Sequence, residues 1–207
     1  MTTIVCMSDT HMRHKSLTVP DGDVLIHAGD ACNVGDWSEW FAWLVWFASL
    51  PHAHKVYVPG NHDVCTEKQR ARCYAYARER GVTMLIGEET EAAGLRVYGS
   101  PWMPEWGTWP YMLPRDGEEL RKRCEDIPAD LDVLVTHGPA YGVLDTVERD
   151  AERDGCKVLR ECLLRLGDAA PSVHVFGHLH HDGGKWGCWV TDAYNVATTC
   201  MVVEVDW

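Results

Sequence analysis

Five short runs of apolar, largely β-branched residues in this chain end the same way, on side chains that can bind a metal or move a proton. "TIVCMS" leads to Asp9, Thr10 and His11, "DVLIHA" to Gly29 and Asp30, and "KVYVP" to Gly60, Asn61, His62 and Asp63. "DVLVT" leads to His137 and Gly138, and "VHVF" to Gly177, His178, Leu179 and His180. Bounded runs of this length and composition predict strands. Helical patterns separate several of them: residues 36–50, the stretch "TEKQRARCYAYARERG" with Thr66 as its expected cap and Gly81 as its stop, and residues from about 154 to 166 ending at Gly167. "LRVYGS", "CWVT" and "MVVEV" predict further strands, and the alternation predicts an α/β fold. In such sheets functional groups gather beyond the carboxyl ends of the strands. Neighbouring strands lie about 4.8 Å apart, so five such loops can share one small volume. A turn explains any one of these endings, because Gly and Asn accept positive φ. It does not explain all five.

The 207 residues fit a single domain spanning 1–207, and a hydrophobic share of 46% supports a substantial core. A formal net charge of −12 argues against a long nucleic-acid track or an anionic membrane surface. It does not argue against a phosphate ligand, because bound divalent cations invert the local sign. Nine cysteines with no C-x-x-C pair predict reduced thiols and a cytoplasmic setting, and no cationic, apolar leader opens the sequence. The stretch "WSEWFAWLVWFASL" at residues 37–50 is too short for a bilayer, which needs about 20 apolar residues. Trp40, Trp43, Leu44, Phe47 and Leu50 share one helical face, while Trp37, Phe41, Val45 and Trp46 spread over the other. Burial within the domain is the expectation, with a homo-oligomer surface as the alternative.

Collected together, the strand-end groups are Asp9, His11, Asp30, Asn61, His62, His137, His178 and His180. This is a mixed carboxylate, imidazole and amide set without thiolate, suited to Mn, Fe, Zn, Ni or Co. It exceeds what one tetrahedral ion needs. Two ions about 3.5–4 Å apart, sharing a carboxylate, would use it all.

The blocks D-x-H, G-D, G-N-H-D, H-G and G-H-x-H, in this order across nearly the whole chain, resemble the signature of the calcineurin-like metallophosphoesterases. "SPWMPEWGTWPYMLPR", "THGPAYGVLD", "DGCKVL" and "NVATTC" are similar to the small metallophosphoesterase-domain-containing subfamily. The resemblance implies a four-layer α-β-β-α sandwich with two divalent metals, manganese foremost. Asp9, His11 and His180 would hold one ion, Asn61, His137 and His178 the other, and Asp30 would bridge them. It further implies that His62 donates a proton to the leaving oxygen, that Asp63 orients His62, and that Gly60 allows the tight turn presenting them. The implied activity is hydrolysis of small phosphodiesters, 2′,3′-cyclic nucleotides first, by attack of a metal-bridging hydroxide. A phosphomonoesterase or nuclease of the same fold is one alternative, and a metal-binding interaction scaffold is another. Animal members of the subfamily carry Gly where His178 stands here. Arg13, Asn195 and His181 are candidate substrate contacts, and His14 also adjoins the motifs. Trp102, Trp106 and Trp109 either pack their loop or stack a base. His27, His52, His54 and His174 read as structural or surface residues.

Overall fold

The structure, a computed structural model, describes residues 1–147, 153–188 and 190–205. One sheet has the order β13-β1-β2-β3-β4, formed by Cys200–Val205, Thr2–Met7, Val24–His27, His54–Tyr57 and Val82–Met84. The other has the order β11-β12-β10-β9-β6-β5, formed by Gly184–Cys188, Thr191–Asn195, Val173–Phe176, Val133–Thr136, Leu95–Ser100 and Glu88–Ala92. A small pair, β7 (Met103–Pro104) with β8 (Met112–Leu113), stands apart. The helices are α1 (Trp37–Ser49), α2 (Val64–Lys68), α3 (Arg70–Glu79), α4 (Glu118–Glu125) and α5 (Lys157–Leu166).

Side-chain alternation along the strands builds the layers. In β1, Ile4 and Cys6 enter the core between the sheets, while Val5 and Met7 join Trp40, Trp43 and Phe47 of α1 and Cys73 and Ala77 of α3. In β9, Val133 and Val135 enter the same inter-sheet core, while Leu134 turns to Leu120 of α4 and to Leu159 and Leu163 of α5. Helices therefore cover the outer face of each sheet, giving the α-β-β-α sandwich. Strands buried on both faces have no polar side to show, which is why they read as unbroken apolar runs. Trp40, Trp43 and Phe47 are fully buried, each worth about 1.5–3 kcal/mol by transfer from water.

The far side of α1 is covered in part from within the chain, with Val45 left exposed. The Arg72 guanidinium lies 3.5 Å above the Trp37 ring, Arg80 lies 5.0 Å from Phe41, and Trp46 packs on His14 at 4.7 Å. No helix among the described residues is long and apolar enough to cross a membrane.

Several local expectations need correction. "CWVT" is not one strand: Cys188 ends β11 and Thr191 begins β12, the two paired antiparallel, while Trp189 lies outside the described residues. Thr66 sits inside α2 rather than capping it, and its hydroxyl donates back to the Asp63 carbonyl at 2.6 Å. The third predicted helix starts at Lys157, where the Cys156 thiol accepts from Leu159 N at 3.3 Å. Register then places the site. Met7, His27 and Tyr57 pair in line across β1, β2 and β3, so the loops bearing Asp9, Asp30 and Asn61 leave the sheet level with one another. On the second sheet Val135 pairs with Val175, and Gly177 N donates to the His137 carbonyl at 2.9 Å, joining the two remaining loops.

Candidate metal centre

The loops above both sheets meet so closely that glycine is demanded at two crossings. A Cβ on Gly29, whose φ is +104°, would lie 2.8 Å from the Gly60 backbone and strike the His137 ring. A Cβ on Gly60 would strike Asp30 Oδ1 and come within 2.7 Å of His137 Cε1. Gly60 has no positive φ. Its task is to let another loop approach, not to sharpen its own turn. Positive φ falls instead on Asp9 (54°), His11 (40°), Asp30 (56°) and His178 (70°). Such strain in non-glycine residues concentrates at functional sites, where surrounding structure must hold it.

Two groups of three side chains result, Asp9 with His11 and His180, and Asp30 with His137 and His178. Within each group the donor atoms all lie within 4.8 Å of one another, and each group could hold a metal ion. His11 Nδ1 lies 2.9 Å from the Cys32 carbonyl and His137 Nδ1 lies 2.8 Å from the Ala28 carbonyl. A carbonyl only accepts, so each Nδ1 carries a proton and Nε2 is the ring atom turned inward, able to ligate a cation in place of any proton it holds, the arrangement usual for metal-ligating histidine. Asn61 Oδ1 stands 3.0 Å from His137 Nε2. The Asp30 carboxylate lies between the groups, with Oδ1 3.3 Å from His137 Nε2 and Oδ2 3.8 Å from His11 Nε2. Oxygen and imidazole donors in this number fit two divalent cations.

The electrostatics are those of charge packed into a dry place. Burial alone would raise the Asp9 and Asp30 carboxyls, but His180 beside Asp9 and His137 beside Asp30 hold both below the usual range. Burial would lower His137, yet Asp30 outweighs it and carries the ring up to about 10. Burial, then repulsion by His137, pushes His178 down to about 4, so its ring is a neutral donor at pH 7.

Asp63 does not touch the His62 ring, contrary to the expectation. Its buried oxygens accept from Gly60 N at 2.8 Å, Cys32 N at 3.1 Å and Ala31 N at 3.4 Å, locking the Asp30 loop to the Asn61 loop. The His62 ring is held by Asn33, whose carbonyl lies 2.5 Å from Nδ1, and by Trp109 at 4.6 Å between centroids. The Asn33 loop is in turn held by Glu39, the sole charge in α1, which accepts from Asn33 N and Val34 N at 2.9 Å each. That lone carboxylate in an apolar helix was the available signal for this support.

Asn195 is also displaced from its expected role. Fully buried, it donates to the Leu179 carbonyl at 2.9 Å and accepts from Ala197 N at 3.0 Å. It braces the loop between His178 and His180, and with its other N–H directed to the Leu144 carbonyl at 3.4 Å it has no donor left to offer a substrate. Arg13 is exposed and lines a cleft of about 420 Å³ with Asp9, Thr10 and His180. His181 lines a recess of about 390 Å³ with Trp106, Val147, Asp154, His178 and His180. Trp106 is 52% exposed there, 6.1 Å from the His178 ring, whereas Trp102 packs beneath Arg123 at 4.1 Å. His14 is buried, His27 bonds Thr10 Oγ1 at 3.1 Å, and His174 bonds Thr136 Oγ1 at 2.7 Å.

Residues 2–182 match the calcineurin-like phosphoesterase family. The Homo sapiens and Mus musculus proteins called Metallophosphoesterase domain-containing protein 1 are each 34% identical over 222 residues, covering 97% of this chain and 67% of theirs. A UPF0046 protein of Caenorhabditis elegans is 37% identical over 201 residues, covering 87% of this chain and 69% of that one. Among solved structures, the phosphopantetheinyl hydrolase of Mycobacterium tuberculosis superposes with a TM-score of 0.65 at 17% identity, covering 95% of this chain and 89% of that one. That is a likeness of fold alone.

Proposed function

The chain belongs to the calcineurin-like phosphoesterase family, and from that premise we propose that it hydrolyses small phosphodiesters, 2′,3′-cyclic nucleotides first among them, at a centre of two divalent cations, manganese foremost. The observation that carries this is the Asp30 carboxylate, which turns one oxygen to each of two ligand groups. Asp9, His11 and His180 would hold one ion, Asn61, His137 and His178 the other, with Asp30 placed to serve both. Bound there, the cations supply Lewis-acid polarisation of a phosphoryl oxygen and a water acidified toward neutral pH.

The chain's own residues do the rest. Asn61 contributes a neutral oxygen, which leaves room for phosphate charge. With Nδ1–H spent on the Asn33 carbonyl, His62 has Nε2 alone through which to pass a proton to the leaving oxygen. Asp63 keeps the Asn61 and Asp30 loops at fixed separation, and Asn195 does so for His178 and His180. The recess beside Trp106 accommodates an organic group on the phosphate, which favours an ester carrying one.

The deciding experiment is a turnover screen of manganese-reconstituted protein with a 2′,3′-cyclic nucleotide, bis(p-nitrophenyl) phosphate and p-nitrophenyl phosphate. Diesters should lead in kcat/KM. A monoester lead of about tenfold, about 1.4 kcal/mol in transition-state terms, overturns the diester assignment. Full turnover after chelation overturns the metal centre itself.

A further inference from the structure

A cavity of about 530 Å³ opens beside the metal centre, with Arg115, Arg153 and Lys157 in its wall and Asp116 as the sole acid lining it among the described residues. We propose that it binds a phosphate-like oxyanion at the far end of the substrate, so that among phosphodiesters those carrying a second anionic terminus, a 2′,3′-cyclic nucleotide with a 5′-phosphate included, are preferred over those without one. This rests on the phosphodiesterase assignment above and adds a substrate class to it.

Position is the first argument. Pro104 and Gly155 line this cavity, while Trp106 and Asp154 line the recess that holds His178 and His180. The two spaces therefore share the same pair of loops, and the Arg115–Asp154 ion pair stands between them. Tyr141, another wall residue, follows His137 by four positions, which limits their separation to about 14 Å. One bound molecule can reach both spaces.

Chemistry is the second. The chain has 19 Lys and Arg against 31 Asp and Glu, yet three cations face this one cavity. Lys157 has no carboxylate partner among the described residues, and its ammonium lies 5.3 Å from the Tyr141 ring. Arg153 is anchored by Asp145 at 2.7 Å, and Asp145 is itself fully buried and held by Gly142 N at 2.8 Å and Gly155 N at 3.2 Å. A guanidinium carries five N–H donors, so Arg115 and Arg153 keep donors beyond those given to their carboxylates. Asp145 and Asp154 offset much of the positive field. What distinguishes the cavity is therefore directed donors in excess of acceptors, which suits the bidentate geometry of an oxyanion.

The test uses a molecular ruler. Calorimetry on the manganese-loaded protein compares alkanediol bisphosphates of four, six and eight carbons with the matching monophosphates. At one length the bisphosphate should bind at least about tenfold tighter, about 1.4 kcal/mol. In the Arg115→Ala, Lys157→Ala double variant that ratio should fall below about twofold, and Lys157→Arg should restore most of it relative to Lys157→Ala. These side chains are at the surface, and an unchanged melting temperature verifies the fold. The proposal is overturned if no length gives an advantage, or if the advantage survives the double variant. If the ratio behaves as expected while the diester screen fails, the reaction class is wrong and the anion site stands.

Discussion

The space between the sheets and the crown of loops above it lie a few residues apart on the same strands, yet they obey opposite rules. Ile4, Val24, Val56, Val97, Val133 and Val175 fill the inter-sheet core, almost wholly shielded from water, in regular parallel ladders. Asp9, Asp30, Asn61 and His137 are just as buried but polar or ionisable, and Asp9 and Asp30 take positive φ. A left-handed conformation costs about 1–2 kcal/mol per non-glycine residue. Buried charge is tolerable only when paired and hydrogen-bonded. The crown is thus a strained, charged structure seated on an unstrained apolar one. In the core, volume and pattern matter, and similar apolar residues can exchange. In the crown, individual atoms matter.

The strongest way to break this contrast is to remove the atom pair that most defines the crown. Asp30→Ala should abolish occupancy of both metal sites, a loss well beyond the ~10–100-fold typical of disturbing a ligand's support. Asn61→Ala should keep at least one ion. Elemental analysis decides, and two ions retained in the Asp30 variant would remove the bridging role. The next effect belongs to His178→Gly, which makes the loop resemble the animal members of the subfamily. It should empty the second site, weaken affinity there by at least ~10–100-fold, and leave the site of Asp9, His11 and His180 filled. Glycine relieves the +70° φ at this position, so the fold should not suffer. Metal titration with parallel kinetics at saturating manganese would expose the opposite result as near-parent activity with two tight ions.

A smaller effect should come from a residue that touches no metal. Asn195→Ala removes the donor to the Leu179 carbonyl and should cost about tenfold in metal affinity, with Asn195→Asp recovering little because a carboxylate cannot donate. Unchanged affinity in the alanine variant would mean that the loop is held by its neighbours alone.

The same contrast explains what the sequence could tell. The core was legible because burial on both faces forces strands such as "TIVCM" and "VLVT" into continuous apolar runs, and their endings pointed to the crown. Which side chains support the ligand groups in the crown was not legible. Asp63 adjoins His62 in sequence, yet its carboxylate serves the amides of Gly60, Ala31 and Cys32, because a buried anion takes whatever donors the fold brings closest. Asn33 and Glu39, which hold His62, belong to a loop and helix whose meeting depends on packing of α1 against the sheet. Asn195 sits at the end of a strand that periodicity misassigned, so its partners were out of reach.

The smallest effect on the site should come from an insult to the core. Val135 is fully buried between the sheets and stands only two residues before His137. Val135→Ala removes two methyl carbons and leaves a void, at a cost of about 2–3 kcal/mol. For a chain of this size that lowers the melting temperature by about 4–12 °C. If core and crown are governed separately, metal affinity should stay within about twofold, a change of about 0.4 kcal/mol. Metal that binds only the folded protein raises its stability by an amount set by concentration and affinity alone. The gain in melting temperature on adding manganese should therefore match in parent and variant, although both absolute values differ. An equal gain means that the strand delivers His137 to its place whatever fills the space behind it. A gain that shrinks in the variant means that the strained crown draws its geometry from close packing below, and that the boundary between the two regions lies deeper than Thr136.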